Sequence, residues 1–412
     1  MKKLLVALAF GVVVLPSCGG ELPIPIPSPG EADPYVCGES LSGYIRVEDP
    51  ITDNSGNSLV VVKYKVQTTR SPQRRLSTTA SLVETYNLTS VSLKQDGFSG
   101  FATPQNLAKL AEDDNVQYVT EIGRKSVPPI GGVELSSSES SHSPAASTPW
   151  HKDRTDQRAL PLDSAAFFPS DGSGVFVFVV DTGVNCDQID GKCIEGYSAY
   201  GGRPTDGHGH GTFVAGEIAD SFYGISPGVT IVAVKVLTDQ GSGTDQAVRS
   251  GWDWVTQYVN DNQLAGKAVL SASLGGNVAP FIDEGVCLSN AAGVANVVAA
   301  GNSGDQLRTA CDGSPSRVDV AFTVGASDRN DGVASFSQFG KCVDIHAPGV
   351  DVDSVNGEGW NGTSMATPCV SAVIAQRLAL GEAAESVVTR ATKDALSGVR
   401  GDAPNLLLYG GS

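Results

Sequence analysis

The chain has 412 residues, 41% of them hydrophobic and 18% charged, enough for one large α/β domain and a smaller one, each with its own core. Forty-five acidic residues against 28 basic ones give a net charge of -17. With no basic patch to offset it, this acidity excludes nucleic acid as a partner and reads as solubility and ion tolerance.

Met1-Lys2-Lys3, the apolar run Leu4 to Leu15 and the small residues after it make residues 1–19 a secretory signal peptide, too short and too poorly flanked for a membrane span. Leu15-Pro16-Ser17-Cys18 is also similar to a bacterial lipoprotein cleavage box, although its proline departs from that pattern. Free secretion is therefore the expectation, with a lipid anchor through Cys18 as the alternative. Residues 20–42 are rich in proline and read as an extended spacer. Residues 43–126 carry strand patterns at 43–47, 59–66 and 116–122, and a short helix opened by Thr103-Pro104 with Leu107 and Leu110 on one face, the outline of a small α+β domain. Residues 127–148 form a Pro-, Gly- and Ser-rich linker with little to pack, suited to proteolytic processing.

In residues 149–412, apolar strand candidates at 175–180, 230–237, 268–274, 294–300 and 321–324 alternate with helical stretches. This predicts an α/β fold with a mostly parallel central sheet and helices on both faces. The first strand closes on Asp181-Thr182-Gly183. His210 stands in Gly209-His210-Gly211-Thr212 ahead of a buried helix, and His208 reads as a loop residue near the same cleft. The strand 294–300 runs into Gly301-Asn302, and Gly362-Thr363-Ser364-Met365-Ala366-Thr367-Pro368 sets Ser364 at the start of a helix over 364–380. A serine hydroxyl is inert at neutral pH unless an imidazole takes its proton and a carboxylate orients that imidazole. Each motif alone is an ordinary turn or strand end; together, in the order Asp, His, Ser, they form a nucleophilic constellation.

On these motifs, residues 149 to 400 resemble the subtilisin-like serine proteases, and within them the proteinase K branch. The resemblance implies Ser364 as nucleophile, His210 as general base, Asp181 as its orienting carboxylate, and Asn302 with the Ser364 amide as oxyanion donors. It implies that Ser273, Leu274, Gly275 and Gly276 wall the specificity pocket, while Gly241, Ser242 and Gly243 form an edge that pairs with an extended peptide. Small uncharged walls suggest a large apolar or aromatic residue before the scissile bond. Asp245, where relatives often carry an aromatic residue, suggests a basic preference at a more distant subsite. The 43–126 domain resembles the ferredoxin-like, inhibitor-type propeptides of this family, and the mature enzyme would begin near Ala145 to Pro149. Partners are then protein or peptide substrates and the chain's own propeptide, acting on a monomer. A catalytically inactive peptide-binding relative, or an esterase or acyltransferase with the same triad, are the alternatives.

The resemblance further implies a structural Ca2+ held by Asp344 with carbonyls near Asp319 and Ala321; the alternative is that Asp344 only bonds backbone amides. No cofactor is expected for catalysis. Eight cysteines in an exported chain without Cys-x-x-Cys spacing suggest disulfides. Cys311 and Cys342 sit where heat-stable relatives carry a bridge. Cys186 and Cys193 flank a short loop that either closes on itself or leaves free thiols or a metal contact through Asp187 and Asp190. Cys369 reads as a buried free thiol, and Cys37 and Cys287 have no assigned partner.

Overall fold

A computed structural model describes residues 33–38, 42–47, 49–65, 71–94, 96–127 and 148–412. The expected signal peptide, Cys18 and nearly all of the processing linker lie outside the described residues.

The N-terminal domain is a five-stranded sheet of β1 (Gly43–Ile45), β2 (Ser58–Tyr64), β3 (Thr89–Leu93), β4 (Gly97–Ala102) and β5 (Val116–Glu121), with helices α1 (Pro72–Thr85) and α2 (Pro104–Ala111). The spatial order is β1-β5-β2-β4-β3. From β5 to β3 all neighbours are antiparallel, which is the β-α-β-β-α-β, ferredoxin-like arrangement. Strand β1 extends it, parallel to β5. Val60, Val62, Phe98, Leu107, Leu110 and Val119 fill its core. The sequence patterns did not reveal α1 or β3. Helix α1 is begun by Ser71, whose hydroxyl accepts from the Arg74 N–H at 3.1 Å, and by Pro72 at its first turn, yet it buries only Thr79 and Leu82. Strand β3 is almost wholly exposed, so neither has a strong apolar period.

The chain continues through β6 (Arg124–Ser126) and α3 (Trp150–Asp156) into the larger domain. There β7 (Phe176–Asp181) leads through β8 (Lys192–Ser198) and α4 (His210–Ala219) to β9 (Thr230–Lys235), followed by β10 (Ser242–Thr244), α5 (Asp245–Asp261), β11 (Ala268–Ala272) and β12 (Gly276–Asn277). Then come α6 (Pro280–Ala291), β13 (Val294–Ala299), β14 (Gly313–Ser314), β15 (Phe322–Ser327), β16 (Ile345–Pro348), the hairpin β17 (Val352–Ser354) and β18 (Gly357–Trp360), α7 (Thr363–Ala379), α8 (Ser386–Thr389), and last β19 (Thr392–Lys393) and β20 (Leu406–Leu407). Nine strands form one sheet in the order β19-β20-β16-β15-β13-β11-β7-β9-β8, parallel from β20 to β8.

Alternation along β7 shows why both faces are covered. Val177 and Val179 join the core beneath α4 and α7, while Phe178 and Val180 join the opposite core beneath α5 and α6. Asp181, at the C-terminal end of this doubly buried strand, is therefore delivered to the rim of the sheet where loops gather. Strand β8 at the sheet edge is half exposed, and β16 holds His346 and Pro348; both lack the apolar run that marks the other strands.

Among the described residues three disulfides are present: Cys311–Cys342, Cys186–Cys193 and Cys37–Cys287. The 186–193 loop is thus closed by its own bridge, and Cys369 is buried and free. The Cys37–Cys287 bridge has no counterpart in the sequence expectations, because 250 residues and a whole domain separate its ends. Next to it, Tyr35 donates its N–H to the Arg317 carbonyl at 2.8 Å and accepts from the Asp319 N–H at 3.0 Å. Tyr35 is buried in the core shared with Val318 and Ala321, and Lys341 pairs with Asp33.

Candidate active site

His210 opens α4 directly after Gly209, which takes φ 99°, a left-handed conformation that suits glycine. Its Nδ1 lies 2.8 Å from Oδ1 and 3.0 Å from Oδ2 of Asp181, and both side chains are buried. Asp181 Oδ1 also accepts the Thr182 N–H at 2.7 Å, which fixes the carboxylate in the plane facing the imidazole. A Cβ at Gly211 would sit 2.1 Å from the Gly183 carbonyl, so glycine there is what allows α4 to close on the Asp181 turn. Asp206 accepts from the N–H groups of His208, Gly209 and Thr212 and from the hydroxyls of Thr182 and Thr212, tying the loop ahead of His210 to the strand end. Asp206 stands three residues before Gly209, and nothing in the sequence assigns it a role.

Ser364 is the second residue of α7, whose N-terminal dipole favours negative charge beside it. Pro368, four residues on, has no N–H to give the Ser364 carbonyl. The Ser273 hydroxyl takes that place, donating to the Ser364 carbonyl at 2.8 Å, while Ser364 Oγ donates back to the Ser273 carbonyl at 3.0 Å. The Ser364 hydroxyl is thus held by Ser273, not by His210. Catalytic hydrogen bonds commonly form only once a ligand is bound.

Asn302 follows β13. Its Oδ1 accepts both the N–H (2.9 Å) and the hydroxyl (2.8 Å) of Thr363, so its amide NH2 is turned the other way. A Cβ at Gly362 would lie 3.0 Å from Asn302 Nδ2, and glycine there leaves that amide approachable. Thr363 also accepts from the Gly301 N–H through its hydroxyl, at 3.1 Å. Thr363 stands in the Ser364 motif, but its part as the clamp on Asn302 depends on a contact 61 residues apart.

The two expected substrate edges flank one groove, and residues 124–127 lie in it. Strand β6 pairs antiparallel with β10, Lys125 opposite Gly243. Ser126 exchanges both backbone bonds with Gly275, at 3.1 and 3.2 Å, and Val127 donates to Gly241 at 2.9 Å. Beside Gly275 and Gly276 opens a cavity of about 190 Å³ lined also by Leu274, Ala299, Ala300 and Asn302. Arg308 and Asp312 line it too, beside the small uncharged wall at Leu274 to Gly276. The Arg308 guanidinium is tied to Asn277 Oδ1 and the Asp312 carbonyl, and the Asp312 carboxylate to Thr309.

Residues 172–396 match the Peptidase_S8 family, described as the Subtilase family. The chain is 38% identical over 325 residues, 74% of its length and 73% of the relative's, to an extracellular serine proteinase of Thermus sp. (strain Rt41A). It is 34% identical to a cuticle-degrading protease of Metarhizium anisopliae, over 77% of this chain and 81% of that one. A crystal structure of a cold adapted subtilisin-like serine proteinase superposes with a TM-score of 0.60 at 39% identity, covering 65% of this chain and all of that chain. The chain belongs to the subtilase family. It is a subtilisin-like serine endopeptidase.

The remaining polar groups of this subtilase divide by distance from Ser364. His208 faces the cleft: its ring lies 6.3 Å from that of His210, against Gly241, and burial together with His210 lowers its pKa. Phe213 stacks on Trp360 at 4.1 Å, and Trp360 lies 6.4 Å from the His210 ring, so this pair backs the imidazole. Behind Ser364, Cys369 Sγ lies 4.0 Å from Oε2 of Glu217; both are fully buried, and burial pushes both well above their usual range. Asp344 accepts the Thr323 N–H at 2.8 Å, two residues from Ala321, and burial pushes its carboxyl up to about 7. Asp319 accepts the Cys37 N–H at 3.3 Å. Among the described residues, no three His, Cys, Asp or Glu side chains converge as a metal site.

Proposed function

We propose that this subtilase is a secreted enzyme of the proteinase K branch, made as a zymogen that cuts itself in the 127–148 linker and then hydrolyses internal peptide bonds. The observation that carries this is the pairing of residues 124–127 with both edges of the groove that ends at Ser364, as an extended peptide would pair. An inhibitor domain whose own tail fills the cleft keeps the enzyme silent until that domain leaves.

In the mechanism, Ser364 Oγ attacks the substrate carbonyl carbon while His210 Nε2 takes its proton, Asp181 holding Nδ1–H and stabilising the imidazolium. Negative charge on the carbonyl oxygen meets Asn302 Nδ2 and the Ser364 N–H, a contribution of roughly 3 to 4 kcal/mol for a side-chain donor. The tetrahedral intermediate collapses to the acyl-enzyme as His210 returns the proton to the leaving amine, and water repeats the cycle. Leu274, Ala299, Ala300 and the glycine walls of the 190 Å³ cavity favour an apolar or aromatic side chain before the cut.

For calcium, a buried carboxylate with one amide donor and, among the described residues, no cation paired with it fits a hard ion with oxygen ligands. Asp344 with the carbonyls of Asp319 and Ala321 would hold it, a structural role away from Ser364.

The test is the intact mass of the reduced precursor over time, beside Ser364→Ala and with a serine-directed phosphonate. Wild type should split within 127–148 and take up one label on Ser364, the variant neither. A wild type that stays whole, and unlabelled after another protease has cut the linker, would leave a peptide-binding protein instead.

A further inference from the structure

Lys125 is buried, although its neighbours on β6, Arg124 and Ser126, are exposed. Its Nζ lies 3.0 Å from Asp245 Oδ1 and 2.6 Å from the Asn277 carbonyl, and the Lys125 and Asp245 side chains are 1% and 2% exposed. The second Asp245 oxygen accepts the Gly123 N–H at 2.7 Å. Asp283, fully buried in α6, lies within the field of the same ammonium and 3.7 Å from Arg317 Nε. A Cβ at Gly276 would meet Lys125 Cδ at 3.0 Å, so glycine clears the channel for the lysine stem. The register fixes the place of this pocket. Ser126 pairs with Gly275, so a substrate strand in the same register sets the second residue after it opposite Ser273, whose carbonyl is 3.0 Å from Ser364 Oγ. Lys125 is then in the position of the fourth residue before the bond attacked.

We propose that Asp245, the Asn277 carbonyl and Asp283 form a subsite for a lysine or arginine four residues before the scissile bond, in protein substrates as in the chain's own tail. This rests on reading residues 124–127 as a substrate-like strand. A buried carboxylate strongly disfavours an unpaired state, so a basic side chain is taken up where an apolar one leaves Asp245 exposed to an imperfectly hydrated pocket. The test uses the processed wild-type enzyme and fluorogenic tetrapeptides X-Ala-Ala-Phe, with X as Lys, Arg, Ala or Glu. Lys and Arg should exceed Ala by roughly 10-fold or more in kcat/KM, a charge-assisted contact's worth, and Glu should fall below Ala. In Asp245→Asn the Lys/Ala ratio should collapse towards one. Equal rates for Lys and Ala in wild type, or an unchanged ratio in the variant, would overturn the subsite. If no peptide is cut, the protease reading falls, and fluorescence anisotropy of the same peptides on the same protein still decides: Lys binding no tighter than Ala rejects the subsite.

A second observation stands independently of the first. Cys37 precedes the N-terminal domain in the chain, yet its disulfide partner Cys287 lies in α6 of the peptidase, and Tyr35 is part of the peptidase core. We infer that a cut in the 127–148 linker leaves the inhibitor domain covalently attached, and that its release takes a second hydrolysis between Cys37 and β1, which starts at Gly43. Residues through Cys37 then stay with the mature enzyme as a short second chain. This rests on the linker being cut. Without reductant, the once-cut protein should keep the precursor mass plus one water; with reductant it should part in two. Cys37→Ser should part without reductant under denaturing conditions. Two fragments separating from unreduced wild type would overturn the tether. A chain that stays single with and without reductant contradicts the linker cut instead, and a non-reduced peptide map finding Cys37 and Cys287 as free thiols would still reject the bond.

Discussion

Thr363 gives both its N–H and its hydroxyl to one oxygen of Asn302, at 2.9 and 2.8 Å, and so decides which way the asparagine amide faces. Rotating that amide would place its oxygen, a repulsive group, against a developing oxyanion.

Thr363→Ala should therefore lower kcat by roughly 10-fold with little change in KM, less than the roughly 100- to 1000-fold expected for loss of the donor in Asn302→Ala. Thr363→Ser, which keeps the hydroxyl, should recover most of it. Steady-state kinetics on one peptide checks the series; a Thr363→Ala enzyme with raised KM and unchanged kcat would contradict the clamp.

Trp360→Ala removes a buried indole stacked on Phe213 and should destabilise the fold by about 3 to 5 kcal/mol. Because the indole also backs His210, kcat should fall even at temperatures where circular dichroism shows the variant fully folded.

The carboxyl of Asp344 is raised to about 7 in the fold against 3.8 unfolded, so between these values the folded chain binds more protons and stability falls as pH rises. The penalty is absent below about 3.8 and complete above about 7. In chelator, melting temperature should therefore be lower at pH 8 than at pH 5.5 by an increment that Asp344→Asn lacks. Adding Ca2+ at pH 8 should raise the wild-type melting temperature and slow autolysis. No response to Ca2+ or chelator would argue for Asp344 as a backbone ligand alone.

His346 has the opposite sign. Burial lowers its pKa to about 4 from 6.5, so the unfolded chain binds more protons between those values and stability is lost as pH falls through them. His346→Gln should flatten the loss measured by denaturant melts from pH 6.5 to 4.

Cys369 is fully buried, and its thiol is pushed up by burial and by Glu217. Iodoacetamide should leave it unmodified in the native enzyme and label it at once in denaturant; native labelling at a comparable rate would contradict its burial.

What could be read along the chain was local. Asp181, His210, Asn302 and Ser364 each stand at the junction of an apolar run with glycines, and the fold sets those junctions at the same edge of the sheet. Strand limits came within a few residues because β7, β9, β11 and β13 are buried on both faces. Helix α1 and strand β3 were silent because they bury too little to show a period. Thr363, Asp206 and Lys125 were silent for another reason: each acts through a partner far off in sequence, and no spacing rule connects Lys125 to Asp245 or Cys37 to Cys287.

Under the inhibition proposed above, the bridge from Cys37 to Cys287 also changes how inhibition scales. An inhibitor that can diffuse away loses hold on dilution, whereas one joined by a few residues faces its target at an effective concentration in the millimolar range whatever the volume. Activation of this enzyme should then follow first-order kinetics with a half-time independent of how far a once-cut preparation is diluted, and secretion into open medium would not by itself switch it on.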